Sequence, residues 1–325
     1  MKQNDAFIPP FYLRNPMLQT VLSSSMLRTL GRNPMIQNSA EHIIDAGKGV
    51  RLHGYFSRQN NVSSKGLVLL LHGWEGSANS AYIQSTGKYL FDNGYDVFRL
   101  NFRDHGESHH LNQGLFLGTL IDEAFAAVKK IAGMAEGRPF YVTGFSMGAN
   151  FAIRIALKNG KSAVGNLKHV ISINPPLDPM KSTVNIDRKN LIRSYFIKKW
   201  KRSLALKQSL YPGVYDFGDI LKMNSCMEMT DVLVRRYTEY EGAEDYFSHY
   251  NLKKGYLNKI KTGLTIIMAE DDPVISIEDF YDTEMNENVN LILHKYGGHC
   301  GYIEGIGLRS WYQKKLIEIF NQYSF

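Results

Sequence analysis

Cysteine and long apolar runs are both scarce in this sequence. Cys226 and Cys300 are the only cysteines among 325 residues, so at most one disulfide can form and no disulfide framework exists. No run of 18 apolar residues occurs, which argues against a transmembrane helix. Residues 1–10 lack the apolar core of a secretory signal. These absences favour a globular protein, and we expect it in the cytoplasm.

The composition is that of a folded protein with a basic balance. Apolar residues make up 44% of the chain, enough for a sizeable core, and the length suits one α/β domain over residues 1–325. A net charge of +7 fits an anionic membrane surface, acidic ligands or solubility alone. It also fits nucleic acid, a partner that we do not expect for this chain. The oligomeric state stays open.

Short, largely apolar runs alternate with helical patterns along the chain. The runs that predict buried strands are 66–71, 95–102, 140–145, 169–174, 264–269 and 290–294. The helical patterns are 81–93, 118–135, 147–158 and 308–321. Because the apolar runs do not alternate strictly, they suit a parallel sheet covered on both faces. The alternation predicts a doubly wound, mostly parallel α/β sheet. Gly94 and Gly160 stand where two of the helices should end.

Two segments depart from this pattern, one before it and one between two of its strands. Segments 41–45 and 50–57, with Gly47 and Gly49 between them, predict an antiparallel hairpin at the sheet's edge. Residues 176–258 contain no strand pattern and predict a helical insertion that acts as a cap or lid. Within it, residues 181–210 carry nine Lys or Arg against Asp187 alone. We interpret this stretch as a helix with a solvated basic face, and a peripheral membrane contact through it stays open.

Residues 144–148, Gly-Phe-Ser-Met-Gly, carry the strongest chemical signal. They join a predicted strand to a predicted helix, and a sharp turn there lifts the hydroxyl of Ser146 above the sheet edge. The flanking glycines allow that turn without a side-chain clash. A G-x-S-x-G pattern is common by chance, but its place between strand and helix makes Ser146 a candidate nucleophile.

A serine hydroxyl needs a base, and the downstream loops supply one. His299 follows the last predicted strand, and Asp271 and Asp272 follow the strand before it. Because the carboxyl ends of parallel strands share one edge, these residues should converge on Ser146. We expect His299 to act as general base and an aspartate to orient it. Asp272 is preferred by its spacing from Ala269, and Asp271 stays the alternative.

Two further loops at this edge have expected supporting roles. In residues 72–76, His-Gly-Trp-Glu-Gly, the backbone N–H of Trp74 should pair with that of Met147 as an oxyanion hole, and His72 should be structural. Residues 103–108 should form a supporting turn. His105, His109 and His110 lack a second cluster at ligand spacing, so we expect no metal site there.

Together these motifs resemble the α/β-hydrolase superfamily and, more narrowly, its YheT-like branch. Segment 9–20, PPFYLRNPMLQT, is similar to that branch's N-terminal signature, with Met17 where the family usually has His. Segments 72–77, HGWEGS, and 144–150, GFSMGAN, are similar to its turn and elbow, and 243–247, AEDYF, to its acidic-aromatic segment. The resemblance runs from about residue 9 to the C-terminus.

The resemblance implies esterase, lipase or acyltransferase activity on small-molecule or lipid acyl esters, without a cofactor. The family often carries a His-x4-Asp element linked to acyl transfer, which this chain lacks, so a carboxylesterase is favoured. An acyltransferase or thioesterase with the same site and a non-catalytic binding module stay the alternatives. We expect the insertion to shape the acyl pocket, with contributions from Tyr195, Trp200, Tyr211, Phe217 and Tyr237.

Overall fold

Eight strands form one sheet in the described part of the chain. The computed structural model describes residues 6–60, 63–252, 255–281 and 283–323. The strands are β1 Ser39–Asp45, β2 Arg51–Ser57, β3 Leu67–Leu71, β4 Asp96–Leu100, β5 Phe140–Phe145, β6 Leu167–Ile173, β7 Leu264–Ala269 and β8 Val289–His294. Their order is β1-β2-β4-β3-β5-β6-β7-β8. The six strands from β3 to β8 pair in parallel, while β1 and β2 pair antiparallel at one edge. The predicted α/β fold class is confirmed.

The central strands are buried on both faces because their side chains are apolar in both directions. Every residue of β3, β4, β5 and β7 is buried. Two apolar clusters, one on each side of the sheet, complete the core. At the antiparallel edge, Gly47 and Gly49 have φ of +82° and +78°, a backbone region that favours glycine. They form the predicted turn between β1 and β2.

The helices flank the sheet and fill the long insertion. They are α1 Pro16–Ser23, α2 Pro34–Gln37, α3 Ala81–Asp92, α4 Ile121–Gly133, α5 Met147–Asn159, α6 Pro179–Arg188, α7 Asn190–Leu210, α8 Cys226–Tyr237, α9 Ala243–Ser248, α10 Glu278–Tyr281 and α11 Trp311–Phe320. Short 3-10 helices lie at Phe11–Leu13, Met26–Thr29, Ile220–Lys222, Leu257–Lys259 and Asn321–Tyr323. The helix predicted from residue 308 begins at Trp311 instead, because Ile303 and Ser310 pair in an isolated bridge just before it.

The insertion between β6 and β7 is helical, as predicted. Its described residues contain α6 to α9 and no strand, while residues 253 and 254 lie outside the described part. No helix in the described ranges is long and apolar enough to cross a membrane. Both cysteines are free and buried. The assignment of the whole chain to a single domain stays a prediction.

The basic stretch of the insertion is divided between an outer and an inner face. Lys198 and Arg202 on α7 are exposed, which fits the predicted solvated face. Lys207 departs from that prediction because it is buried, with its Nζ 2.7 Å from Asp104 Oδ1. The same ammonium donates to the carbonyl oxygens of Asn112 and Gly114. Lys207 therefore ties α7 to the loop after β4, and the membrane contact stays a prediction.

Replacing Lys207 with Met should destabilise the protein by about 3–5 kcal/mol, because the carboxylate of Asp104 would stay buried without its partner. Urea unfolding at pH 7.5 measures this change. Lys198→Met, on the exposed face of the same helix, serves as the control and should change stability by about 0.5 kcal/mol or less. Burial raises the pKa of Asp104, so the deficit should shrink as the pH falls and the carboxyl takes up a proton. Equal losses of stability in Lys207→Met and Lys198→Met would contradict the role of Lys207 as the buried partner of Asp104.

Candidate active site

Ser146 occupies a strained turn between β5 and α5. Its φ is +54° and its ψ −120°, a conformation that side-chain-bearing residues rarely adopt. A Cβ on Gly144 would lie 2.1 Å from the carbonyl oxygen of Gly148, and a Cβ on Gly148 would lie 2.5 Å from the carbonyl oxygens of Leu71 and His72. Both flanking positions therefore require glycine for the steric reason that the sequence predicts.

Two hydrogen bonds link Ser146, His299 and Asp272 in a chain. His299 Nε2 lies 2.8 Å from Ser146 Oγ, and His299 Nδ1 lies 2.8 Å from Asp272 Oδ2. When Nδ1 donates its proton to the carboxylate, Nε2 is left as the acceptor for the serine hydroxyl. The structure thus brings together three predicted residues from loops that are far apart in the sequence.

The carboxylate of Asp272 is held by several donors besides His299. The backbone N–H groups of Val274 and Ile275 donate to Oδ1 at 2.7 and 3.0 Å. Asn174 Nδ2 donates to Oδ2 at 2.5 Å and also to the carbonyl oxygen of Gly298. These bonds fix the carboxylate in one orientation relative to the imidazole. The side chain of Asp272 is fully buried, and Asp272 is the aspartate that contacts His299.

Asp271 lies beside the chain and does not contact the imidazole. Its Oδ1 accepts a hydrogen bond from the backbone N–H of Gly298 at 2.8 Å. Its Oδ2 is buried and has no hydrogen-bond partner in the described part of the chain. Burial, together with the neighbouring charge of Asp272, raises the pKa of the Asp271 carboxyl to about 6. Asp271 therefore supports the loop of His299 through Gly298.

The turn after β3 packs directly against the candidate nucleophile. A Cβ on Gly73 would lie 3.2 Å from Ser146 Cβ, and the N–H of Gly73 donates to Tyr82 Oη. His72 Nδ1 donates to the carbonyl oxygen of Gly73, and its Nε2 accepts from the backbone N–H of Phe102. Burial lowers the pKa of His72 to about 4. His72 is thus a neutral, structural side chain, as its sequence context predicts.

Both residues of the predicted oxyanion hole line the same pocket as Ser146. Met147 is the first residue of α5, so its N–H is one of the groups that a helix leaves without an intrahelical partner. The ring of Trp74 stacks on Phe196 at 5.1 Å and meets Trp200 edge-on at 5.0 Å. These aromatic contacts fix the turn of Trp74 against α7 of the insertion. The oxyanion role of the two N–H groups stays a prediction.

Two of the three histidines in the loop after β4, His105 and His109, bond to protein groups, while His110 is exposed. His105 Nδ1 donates to the carbonyl oxygen of Arg103, and His109 Nε2 lies 2.8 Å from Ser203 Oγ. Burial lowers the pKa of both imidazoles. The hydroxyl of Ser108 closes the turn on the carbonyl oxygen of His105. In the described ranges, no group of three or more His, Cys, Asp or Glu residues could hold a metal ion.

An apolar pocket opens from Ser146 beneath the insertion. The space inside it is about 1140 Å³, part of which is open to solvent. Its walls come from both the sheet side and the insertion, and they include Trp74, Leu117, Ile186, Phe196, Trp200, Leu204, Leu233, Val234, Phe247 and Ile275. Polar side chains also line it, among them Glu75, His105, Asn150, Thr183 and the buried Asp104–Lys207 pair. The pocket can therefore accept an apolar group next to the serine hydroxyl.

The predicted aromatic lining is largely wrong. Of the five aromatic residues expected in the pocket wall, Trp200 alone is among the lining residues. Phe217 packs with Tyr237 at a ring distance of 5.2 Å inside the insertion, and Tyr195 is exposed. The pocket instead uses Phe196 and, from α9, Phe247. Helical register decides which aromatic residue faces inward, and tertiary packing sets that register.

Sequence reasoning also missed the residues that hold the chain of hydrogen bonds in place. Asn174 directly follows β6 with a φ of +49°, and its Oδ1 accepts from Tyr302 Oη at 2.8 Å. A polar residue at the carboxyl end of a buried parallel strand was the available signal. Thr20, in the N-terminal signature, contacts the backbone of His299. The N-terminal signature draws attention to this segment, but it does not indicate a contact with a residue 279 positions away.

A family model described as serine aminopeptidase, S33, matches residues 62–304. The chain belongs to this family of α/β hydrolases. The match includes Ser146, Asp272 and His299, and the predicted superfamily is confirmed. The protein is accordingly a hydrolase, while its place in the YheT-like branch stays a prediction.

Individual relatives agree with this membership over most of the chain. An abhydrolase domain-containing protein of Dictyostelium discoideum is 20% identical over 333 residues, covering 99% of this chain and 82% of the relative. Phospholipase ABHD3 of Mus musculus is 23% identical over 284 residues, covering 84% and 68% respectively. The Pyrococcus furiosus esterase Pf2001 superposes with a TM-score of 0.59 at 21% identity, covering 88% of this chain and 91% of that chain. This structural likeness shows the fold.

Asp271→Asn should change how stability depends on pH. The folded-state pKa of Asp271, about 6, lies above its ordinary value of 3.8, so the folded state binds the proton more tightly than the unfolded state. Wild type therefore loses stability from this group as the pH rises from about 4 to 6. Asparagine keeps an acceptor for Gly298 without ionising, so the variant should gain stability relative to wild type over that range. Denaturant unfolding at pH 4.5 and 7.5 measures the difference in the free energy of unfolding between variant and wild type. A difference that is the same at both pH values would contradict the raised pKa of Asp271.

Proposed function

We propose that this protein hydrolyses carboxylic esters through an acyl-enzyme on Ser146. The observation that carries the proposal is the chain of two 2.8 Å hydrogen bonds from Ser146 through His299 to Asp272, which lies at an apolar pocket. A hydroxyl, an imidazole and a carboxylate in this order are the groups that nucleophilic acyl transfer requires. Their chain order, Ser then Asp then His, is that of α/β hydrolases.

The proposed reaction has two halves. In the first, Ser146 Oγ attacks the ester carbonyl carbon while His299 Nε2 accepts the hydroxyl proton. The tetrahedral intermediate collapses, the alkoxide leaves with the proton from His299, and the acyl group stays on Ser146. In the second half, His299 takes a proton from water, and the water oxygen attacks the acyl carbon. As this second tetrahedral intermediate collapses, the acid leaves and His299 returns the proton to Ser146 Oγ. Asp272 keeps Nδ1 protonated and stabilises the imidazolium that forms in each half.

In both halves of the reaction, the negative charge that develops on the substrate's carbonyl oxygen needs hydrogen-bond donors. The backbone N–H groups of Trp74 and Met147 are the proposed pair, because both residues flank Ser146 in the pocket. The close contact between Gly73 and Ser146 supports this arrangement, since it holds the turn of Trp74 against the nucleophile. The N-terminus of α5 adds its partial positive charge to the same place.

The proposed substrate carries an apolar acyl group. The pocket walls beneath α6, α7 and α8 are mostly aliphatic or aromatic, and such a surface favours the burial of a hydrocarbon chain. Relatives named as a phospholipase and as an esterase support a lipid or small-molecule acyl ester. The proposed ester hydrolysis through Ser146, His299 and Asp272 calls for no cofactor.

Ser146→Ala should abolish covalent labelling by a fluorophosphonate probe and lower kcat for p-nitrophenyl esters by about 10³-fold or more, because the nucleophile is lost. Labelling is followed by gel fluorescence and hydrolysis by release of p-nitrophenol. Ser209→Ala, which changes an exposed serine on α7, is the control and should keep both activities. Equal labelling of wild type and Ser146→Ala would reject the proposed nucleophile.

Asp272→Asn should lower kcat by about 10⁴-fold, since an amide no longer holds the imidazole in the reactive tautomer. Asp271→Asn is the matched control, because it alters the adjacent carboxylate that bonds Gly298 and not His299. It should lose far less activity. The measurement is the initial rate of ester hydrolysis at pH 8, which is above the pKa of about 6 of the Asp271 carboxyl. A larger loss of kcat in Asp271→Asn than in Asp272→Asn would instead identify Asp271 as the aspartate that orients His299.

A further inference from the structure

The N-terminal segment lies outside the sheet and yet contacts the loop of the proposed base. We call residues 9–20 the N-terminal strap and residues 297–303 the histidine loop. The strap runs from the 3-10 helix Phe11–Leu13 into the first part of α1. It contains the sequence signature for which the proposed reaction has no use, and its contacts with the histidine loop span about 280 positions of sequence.

Thr20 makes the contact nearest to the reacting groups. Its Oγ1 accepts a hydrogen bond from the backbone N–H of His299 at 2.9 Å. The same hydroxyl donates to the carbonyl oxygen of Pro16 at 2.7 Å. Because the hydroxyl proton is committed to Pro16, a lone pair faces the N–H of His299. A hydroxyl at this position therefore fixes the backbone of the residue whose ring bonds Ser146.

Gln19 fastens the far end of the same loop. Its Oε1 accepts from the backbone N–H of Ile303 at 2.7 Å, and its Nε2 donates to the carbonyl oxygens of Leu13 and Ile303 at 2.8 and 3.3 Å. The side chain is fully buried. Both the oxygen and the nitrogen of its amide are used, so Gln19 joins Leu13 and α1 of the strap to the histidine loop.

The strap and the loop approach each other so closely that the loop needs glycine. A Cβ on Gly298 would lie 2.4 Å from the carbonyl oxygen of Pro16, and a Cβ on Gly301 would lie 2.6 Å from that of Gln19. The φ of Gly298 is +55°. Contacts of this kind leave no room for the loop to move toward α1, while the hydrogen bond from His299 to Thr20 resists movement away from it.

We propose that the N-terminal strap is a positioning element for the proposed base, with Thr20 and Gln19 as its positioning residues. The inference rests on the proposed function of Ser146 and His299. Asp272 orients the imidazole ring from one side, and the strap fixes the backbone that carries the ring from the other. The strap holds His299 Nε2 within hydrogen-bond reach of Ser146, where a displacement of about 1 Å can cost about 100-fold in rate.

The test compares Thr20→Val, which removes the hydroxyl at nearly constant shape, with Thr20→Ser, which keeps it. Thr20→Val should lower kcat by about 10- to 100-fold with little change in KM, because the acyl pocket is untouched. Thr20→Ser should restore most of the rate. Thr29→Val is the matched control, since the hydroxyl of Thr29 also donates to a carbonyl oxygen of the preceding turn, that of Met26, but does not contact the histidine loop. Rates are expressed per folded molecule after urea unfolding of each variant.

A double-mutant cycle separates positioning from a general structural effect. In a His299→Ala background, Thr20→Val should cause no further loss of the residual hydrolysis of p-nitrophenyl acetate, since the group that it positions is gone. Equal rates in Thr20→Val and Thr29→Val, a defect in Thr20→Ser as large as in Thr20→Val, or an undiminished effect in the His299→Ala background would each overturn the inference. Hydrolysis that is as fast in Ser146→Ala as in wild type contradicts the proposed function itself, and this outcome is recognised without any Thr20 variant.

Discussion

A hydroxyl, an imidazole and a carboxylate from three separate loops must stay within hydrogen-bond distance of one another at the same time. Strands β5, β7 and β8 run parallel and end at one edge of the sheet, which brings the three loops together. Each group is then fixed by its own local device. Ser146 stands on a strained turn between two glycines, Asp272 is held by two backbone amides and Asn174, and His299 is held through its backbone by Thr20.

The insertion is joined to the same edge through the loops that surround the serine. Lys207 of α7 is buried against Asp104, and Phe196 stacks on Trp74 in the turn beside Ser146. Lys199 donates to the carbonyl oxygen of Glu75 in that turn. The insertion therefore covers the apolar pocket and also holds in place the loops that form one wall of it. Movement of α7 would disturb both.

Much of the fold could be read from local patterns. All six predicted runs appear as parallel strands with ends shifted by at most two residues, since apolar composition and strand periodicity are local properties. The run that forms β8 was expected to be buried, but β8 lies at the sheet's edge and is only partly buried. The triad candidates follow from the order of loops along the chain, and Asp272 meets His299 as its spacing indicates. The pocket wall could not be read in this way. Phe196 and Tyr195 are adjacent in sequence, but only Phe196 lines the pocket, because the packing of α7 decides which face turns inward.

The sequence by itself determined which chemistry is present: a serine between two obligatory glycines, a histidine and aspartates at the ends of neighbouring parallel strands. It also carried the N-terminal signature, but without a role for it. Only the tertiary structure decided that Thr20 meets the backbone of His299, that Asn174 holds Asp272, and that Lys207 is buried and not solvated. The physical reason is the range of the interactions. Strand and turn preferences act between near neighbours, whereas these hydrogen bonds join residues about 100 to 280 positions apart and exist only once the chain has folded.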